Sequence, residues 1–238
     1  MRKDKFCIVR TFEHLRLVLL GYQMNSKSVN ADISTIIKRL KRRYIKEMHT
    51  SLQFNNGWNL LVATMLSAQS QDAQVNRATP GLFRRYQKIE SYTKLRPAQL
   101  YKYIGSLGLY RNKAKNIVKA AKYIKEHFNG RIPDRMEDLI MLPGVGRKTA
   151  NVVLANYFGN NSGIAVDTHC ITVSRRLFLY RTKSAEKIER YLMELVPRKE
   201  WGNITHLFIA LGRDVCTARS KYCNECVLND ICPSSDSR

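Results

Sequence analysis

Hydrophobic residues recur along most of the chain every three or four positions, which is the spacing of one face of an α-helix. This period predicts helices over Ile33–Met48, Asn59–Ser67, Pro97–Ile104, Asn112–His127, Lys148–Tyr157, Thr168–Leu179, Ser184–Val196 and Trp201–Val215. Glycines and prolines, Pro80 and Gly81 among them, predict the loops between these helices. The sequence has no alternating runs joined by hairpin turns, so the predicted fold class is all-α.

The chain is strongly basic. Lysine and arginine outnumber aspartate and glutamate by 41 to 19 in 238 residues, which gives a formal net charge of +22. Such a surplus attracts polyanions and favours nucleic acid as the partner; a membrane surface, or no polyanionic partner at all, is the alternative. No apolar run approaches the roughly 20 residues that span a bilayer. Charged residues also interrupt Phe6–Leu20, the stretch nearest to a signal sequence, so we expect an intracellular protein, cytoplasmic and nucleoid-associated if the source is prokaryotic.

A Pro-Gly-x-Gly turn joins two predicted helices between Leu142 and Thr149. Its glycines leave backbone N–H groups uncovered beside the positive end of the following helix, an arrangement that binds a phosphate without reading sequence. A glycine-rich turn can also join two helices with no ligand. The basic Arg147 and Lys148 that follow favour the phosphate-binding interpretation, which is that of a helix-hairpin-helix.

Lys148 and Asp167 are the candidates for chemistry. A helix N-terminus disfavours an ammonium group, so Lys148 could act as a neutral amine that forms a Schiff base, or could simply bind a phosphate. Asp167 ends the apolar run Ile164–Val166 just before a predicted helix, which is the position of an N-cap. A carboxylate fixed in this way could also stabilise positive charge on a sugar ring. Asp167 follows Lys148 by nineteen positions, which allows both side chains to face one cleft.

Four cysteines, Cys216, Cys223, Cys226 and Cys232, follow one another with spacers of six, two and five residues. Thiolates at this spacing can hold one tetrahedral ion or one cubane cluster. Zinc is usually held by two close Cys pairs, and the wider outer spacers favour the iron–sulfur cluster. Cys7 and Cys170 have no partner at ligand spacing, and clustering of the other four predicts a reducing compartment.

Several segments together resemble the endonuclease III family of helix-hairpin-helix DNA glycosylases. They are Leu66–Gln69, Gly108–Tyr110, Leu142–Asn151, Val166–His169 and the four-cysteine tail, in the family's order. The resemblance runs from about Ser28 to Pro233. Residues 1–27 lie outside it as an N-terminal extension of unknown role, and Met24 is an alternative start.

The resemblance implies a bifunctional glycosylase and apurinic/apyrimidinic lyase that acts on oxidised pyrimidines in double-stranded DNA, as a monomer. Lys148 matches the nucleophile, Asp167 matches the catalytic aspartate, and the four cysteines match the ligands of a 4Fe-4S cluster. Gln69 and Leu109 match the residues that fill the gap left by a flipped nucleotide. The other matching DNA-binding positions are Gly144, Gly146, Arg147, Thr149 and His169.

The family also implies two helical lobes with DNA in the cleft between them. Residues 50–160 would form a six-helix lobe with the hairpin, and residues 28–49 and 161–233 would form the cluster lobe, followed by a tail at 234–238. The basic side of Ile33–Met48 would then be merely solvated.

Two departures from the family pattern affect the range of lesions, namely Gln71, where the family often has threonine, and the polar loop Asn160–Gly163. Two alternatives stay open. One is a monofunctional glycosylase that removes T or U opposite G, or A opposite oxidised G; such relatives generally lack a lysine at position 148. The other is a helix-hairpin-helix protein that binds DNA without chemistry, which the presence of both Lys148 and Asp167 disfavours.

Overall fold

The computed structural model describes residues 32–178 and 181–236, and these ranges contain eleven α-helices and no β-strand. The helices are α1 Ile33–Arg43, α2 Gly57–Ser67, α3 Asp72–Arg85, α4 Ile89–Thr93, α5 Tyr101–Ile104, α6 Tyr110–His127, α7 Met136–Leu139, α8 Arg147–Tyr157, α9 Thr168–Phe178, α10 Ala185–Leu195 and α11 Trp201–Asp214. The all-α prediction is confirmed. The extension at 1–27 lies outside the described residues, and no helix within them is long and apolar enough to cross a membrane.

The first core is a cluster of buried hydrophobic side chains drawn from residues 52–154. Helix α2 lies at its centre, with every residue from Gly57 to Leu66 buried. A helix that is apolar on all sides must be surrounded by protein, and α2 packs against α3, α6 and α8. Trp58 contacts Tyr92 edge to face at 5.1 Å between ring centroids. The hairpin helix α8 is thereby anchored on a rigid centre.

The second core is a separate cluster drawn from residues 36–44 and 164–228. Helices α9 and α11 pack against each other, α1 packs on α11, and α10 packs on α9. Residues from both ends of the described chain therefore complete one core, while the intervening segment forms the other.

The loop predicted at Pro80 and Gly81 is wrong, because both residues lie inside α3. Proline there removes the N–H that would bond the carbonyl of Asn76. Tertiary packing compensates: Leu82 and Phe83 are buried in the first core, and the buried hydroxyl of Thr79 donates to the carbonyl of Val75 at 3.0 Å.

The basic side of α1 is not merely solvated, which corrects the expectation for this helix. Arg39 pairs with Asp230 and also donates to the carbonyl of Val227 at 3.1 Å. Arg43 pairs with Asp214 at 2.8 Å. The helix also ends earlier than predicted, at Arg43, and a short 3₁₀ turn over Ile45–Glu47 follows. Through these two arginines, helix α1 is attached to the cysteine segment, residues 214–232, which contains the four cysteines.

Candidate active site and DNA interface

The turn between α7 and α8 has the geometry that a helix-hairpin-helix requires. Gly144 has φ +80°, and a Cβ at this position would lie 2.7 Å from the side chain of Asn116, so only glycine fits. Gly146 is the N-cap of α8, and no side chain caps the helix there. Because the first N–H groups of a helix have no intrahelical acceptor, this end of α8 is suited to bind an anion.

The charges of Lys148 and Asp167 both act on one buried side chain, the thiol of Cys170. Lys148 is exposed in the first turn of α8, and Asp167 is half-buried just before α9. A carboxylate oxygen of Asp167 accepts the backbone N–H of Cys170 at 2.8 Å, as an N-cap does. Burial raises the pKa of the Cys170 thiol well above its usual value; the charge of Asp167 adds to this rise, and that of Lys148 opposes it. The pKa of the Cys170 thiol therefore depends on the charges of both candidate residues.

Gln69 and Leu109 share an uncommon backbone conformation. Their φ values are 54° and 57°, in the left-handed region that non-glycine residues seldom adopt. Both residues are exposed, and both line one cavity of about 130 Å³ together with Gly144. The fold therefore brings the two predicted gap-filling residues together beside the hairpin. Strained backbone of this kind is concentrated at functional sites.

Lys113 lines the same cavity and was missed by the sequence analysis. It is only 7 % exposed. Its ammonium donates to the carbonyl of Leu66 at 2.8 Å and to the hydroxyl of Ser70 at 2.9 Å, on either side of Gln69. Burial lowers the pKa of Lys113. A lysine on the apolar stripe of α6, four residues before Ile117, was the signal that could have found it.

The remaining predicted DNA-binding residues have different surroundings. Arg147 forms an ion pair with Glu189, with 2.7 Å between Nε and Oε2, although its side chain stays 47 % exposed. Thr149 is half-buried in the first turn of α8. His169 lies against Gly212 of α11, where a Cβ would be 2.9 Å from the His169 Cβ. Glu189, a buried carboxylate, is the second residue that the sequence analysis missed.

The four tail cysteines are half-buried free thiols. Burial raises the pKa of Cys226 and of Cys232, and the neighbouring thiols add to both rises. Cys216 accepts a hydrogen bond from the guanidinium of Arg176 at 3.2 Å. Among the described residues, no group of three or more His, Cys, Asp or Glu side chains has the spacing of a single-ion site. The four thiols nevertheless lie near enough to affect one another, and four neighbouring cysteines are the donor set that an iron–sulfur cluster takes.

One cavity lies apart from the predicted site. A larger cavity of about 460 Å³ is lined by residues between Gln53 and Asn59 and between Thr79 and Gln87, none of them predicted as functional. Cys170 is fully buried, as a packed thiol. Cys7 lies outside the described residues.

Comparisons with known proteins agree on the family. Residues 62–198 match the model of the HhH-GPD superfamily base excision DNA repair protein. The chain is 43 % identical over 217 residues to endonuclease III of a Synechocystis strain, covering 91 % of this chain and 97 % of that relative. It is 46 % identical over 188 residues to endonuclease III of Bacillus subtilis, covering 79 % and 85 %.

The fold is also similar to solved structures. A trapped covalent intermediate of an endonuclease III with DNA, in an estranged-adenine complex, matches with a TM-score of 0.79 and 39 % identity, over 85 % of this chain and 94 % of that one. A thermostable thymine-DNA glycosylase matches with a TM-score of 0.72 at 21 % identity, over 84 % and 93 %, a likeness of fold alone. Sequence and fold agree, and the chain belongs to the endonuclease III family within the helix-hairpin-helix superfamily of base excision DNA repair proteins.

Proposed function

We propose that the protein excises damaged bases from duplex DNA and cleaves the strand at the abasic site that results. Three observations support this most directly. Lys148 lies in the first turn of the hairpin helix, the carboxylate of Asp167 is fixed by the N-terminus of α9, and the charges of both residues act on the thiol of Cys170. A relative of 39 % identity has been trapped as a covalent intermediate with DNA. A covalent intermediate requires a nucleophile, and Lys148 is the residue that we assign to this role.

In the proposed reaction the uncharged amine of Lys148 attacks C1′ of a flipped nucleotide. The bond between C1′ and the base breaks, and the base leaves with the electron pair and takes up a proton. The amine loses its protons as the sugar ring opens, which gives a C1′=N imine. Removal of a proton from C2′ then breaks the C3′–O bond, and the phosphate leaves as the 5′ end of the downstream strand. Water hydrolyses the imine to free the amine.

Asp167 has two tasks in this scheme. Its ionised carboxylate stabilises the positive charge that develops on the sugar as the base departs, and it can accept a proton from the attacking amine. The hydrogen bond from the N–H of Cys170 keeps the carboxylate oriented while it does so.

We propose that the first and second cores belong to two lobes, with DNA bound in the cleft between them. The hairpin turn at Gly144 and Gly146 would bind one phosphate through backbone N–H groups. Gln69 and Leu109, exposed on their left-handed backbone, would fill the space that the flipped nucleotide leaves. The net charge of +22 would supply the attraction that is independent of sequence.

The four thiols of Cys216, Cys223, Cys226 and Cys232 would hold a 4Fe-4S cluster. When bound, such a cluster supplies a fixed cross-link between cysteines and, in principle, one-electron chemistry. None of the steps above uses it. The residues of the chain hold the cluster segment in place from outside, through Arg176 on Cys216 and through the α1 arginines.

Borohydride trapping on a duplex with one thymine glycol tests the proposal. We expect the parent protein to form a covalent adduct with DNA, and the Lys148→Ala variant to lose more than about 99 % of it, because the proposed reaction assigns the attack on C1′ to this amine. Lys125→Ala, at an exposed lysine of α6, is the matched control and should trap like the parent.

The alternatives give different results in the same experiment. Base loss at a G·T mismatch without any adduct would favour a monofunctional glycosylase and would leave Lys148 as a phosphate contact. Equal trapping by Lys148→Ala and the parent would exclude Lys148 as the nucleophile. Binding without base loss or strand cleavage would leave a protein that only binds DNA.

A further inference from the structure

A single buried carboxylate joins the two halves of the proposed active site. Glu189 lies on α10 between Ile188 and Leu192, which are both fully buried in the second core. Its side chain is only 6 % exposed. A carboxylate removed from water at such a position is stable only when cations and hydrogen-bond donors surround it.

Three donors surround Glu189. Its Oε2 accepts from Arg147 Nε at 2.7 Å. Its Oε1 accepts from Asn151 Nδ2 at 2.8 Å and from the backbone N–H of Ile164 at 3.2 Å. Arg147 and Asn151 are four residues apart on α8 and therefore lie on the same face of that helix. The Glu189 carboxylate thus connects α10 both to the hairpin helix and to the segment that begins at Ile164.

The backbone at Gly163 approaches this carboxylate closely. A Cβ on Gly163 would lie 2.4 Å from Glu189 Oε1 and 2.7 Å from Asn151 Oδ1. The chain therefore passes directly over the carboxylate, and only glycine permits the approach of Ile164 N–H that the hydrogen bond requires.

Two of the three donors to Glu189, Arg147 and Ile164, are close in sequence to a proposed catalytic residue. Arg147 immediately precedes Lys148, in the first turn of α8. Ile164 begins the short run that ends three residues later at Asp167, about 10 Å further on when extended. Helix α8 contributes to the first core, whereas Glu189 and Ile164 belong with the second. Without Glu189, these contacts between the lysine-bearing helix and the aspartate-bearing segment would be lost.

We propose that Glu189 is a positioning residue that sets the placement of Lys148 relative to Asp167, and hence the rate of imine formation. It touches neither reacting group itself. The proposal rests on the function proposed above, since it assigns no role to Glu189 unless Lys148 and Asp167 act together. A misplacement of about 1 Å between reacting groups can cost on the order of 100-fold in rate.

Single-turnover borohydride trapping on a duplex with one preformed abasic site tests this role, with three quantities measured for each variant. They are the rate of adduct formation, the fraction of protein that is finally trapped, and the Kd for a duplex with a tetrahydrofuran analogue of the abasic site. The variants are Glu189→Ala, Glu189→Gln and, as matched control, Glu194→Gln, which makes the same change at an exposed glutamate of α10.

We expect Glu189→Ala to slow trapping by roughly 30- to 100-fold, with the trapped fraction and the Kd within about threefold of the parent. Glu189→Gln keeps an oxygen for Asn151 and Ile164 but turns a donor toward Arg147, so it should slow trapping by about tenfold. Glu194→Gln should react like the parent. If Glu189→Ala fails to fold, the isosteric Glu189→Gln decides.

Two results would overturn the positioning role. One is a parental rate in both Glu189 variants. The other is a lower trapped fraction in which the protein that reacts does so at the parental rate. A purely structural role would lower the amount of competent protein and leave its rate unchanged. Failure of the proposed function is distinct: the parent would then form no adduct, or Lys148→Ala would form it equally well.

Discussion

His206, on α11, is held neutral by the fold. Burial and, to a smaller extent, the charge of His49 lower the pKa of its imidazole to about 4, and Asp72 acts in the opposite direction. An unfolded chain has an ordinary histidine pKa of about 6.5. Between these two values the unfolded state binds a proton that the folded state does not. The free energy of unfolding therefore falls as the pH drops through this window and stops changing, for this residue, below about pH 4.

Replacing His206 should make the protein less sensitive to acid. At about 1.4 kcal/mol for each pH unit, the window accounts for at most about 3 kcal/mol of unfolding free energy. We expect His206→Gln to lose that much less stability than the parent between pH 6.5 and 4, measured by urea unfolding at several pH values. His127→Gln, at an exposed histidine of α6, is the control. Parallel losses in parent and His206→Gln would contradict the prediction.

Lys113 and Glu189 show how far single residues can be predicted from the sequence. Each is a charged residue on the apolar stripe of a helix, and a buried charge must have partners, so the sequence could have marked both as unusual. Their partners could not be predicted, because Leu66 and Arg147 lie more than 40 residues away along the chain. By contrast, the N-cap at Asp167 depends on local geometry alone, and the hydrogen bond to Cys170 N confirms it.

At the scale of the helices, two glycines inside helices, Gly81 and Gly212, leave different amounts of space for an added Cβ. Gly81 of α3 faces Tyr103, and a Cβ there would be 3.5 Å from the ring, an ordinary contact. Gly212 of α11 faces α9, and a Cβ there would be 2.9 Å from the Cβ of His169, which is too close. Helices α9 and α11 can therefore approach each other only because position 212 has no side chain.

Alanine at the two positions should change stability in opposite directions. Gly81→Ala should raise the free energy of unfolding by about 0.5–1 kcal/mol, because it restricts the unfolded chain. Gly212→Ala should lower it by about 1–3 kcal/mol through overpacking. It should also slow trapping, since His169 lies in the turn that Asp167 caps. Thermal unfolding of both variants measures the two changes in stability. A Gly212→Ala variant that is more stable than the parent would disprove the close packing of α9 on α11.

Periodicity predicted most of the helices because amphipathic stripes are a local property. It failed where the pattern contained contrary local signals. The pair Pro80 and Gly81 predicted a loop, yet α3 continues through it because Leu82 and Phe83 are buried. Conversely, α1 stops at Arg43, before the apolar stripe ends at Met48, and Tyr44 instead donates to Asp214 at 2.8 Å. In both cases tertiary contacts outweigh the local pattern.

For the molecule as a whole, the contacts between α1 and the cysteine segment join two parts of the chain that are far apart in sequence. Arg39 reaches Asp230 and the carbonyl of Val227, while Arg43 reaches Asp214 and the carbonyl of Glu225 at 3.3 Å. Arg176 adds a third contact, through its hydrogen bond to Cys216. A cluster bound by the four cysteines would therefore be held in a frame that is already ordered.

Purified protein should contain about four iron atoms per chain that resist a chelator. A variant with both Arg39 and Arg43 replaced by alanine should lose iron to the chelator several times faster than the parent. The reason is that the cysteine segment loses its hydrogen bonds and ion pairs to α1. Lys38→Ala, at an exposed lysine of the same helix, is the control. Iron content and visible absorbance over time provide the measurement, and a colourless protein with one zinc per chain would contradict the cluster assignment.

The order of the two cores along the chain has a consequence for synthesis on the ribosome. The first core, from residues 52–154, is complete when its last residue emerges, and it can fold as soon as it does. The second core must wait until residues near 228 join α1, across a sequence separation that makes loop closure slow. In a nascent chain Lys148 would therefore emerge with the first core, whereas Asp167 would be fixed only when the second core forms. The proposed activity would then arise only at the last stage of folding.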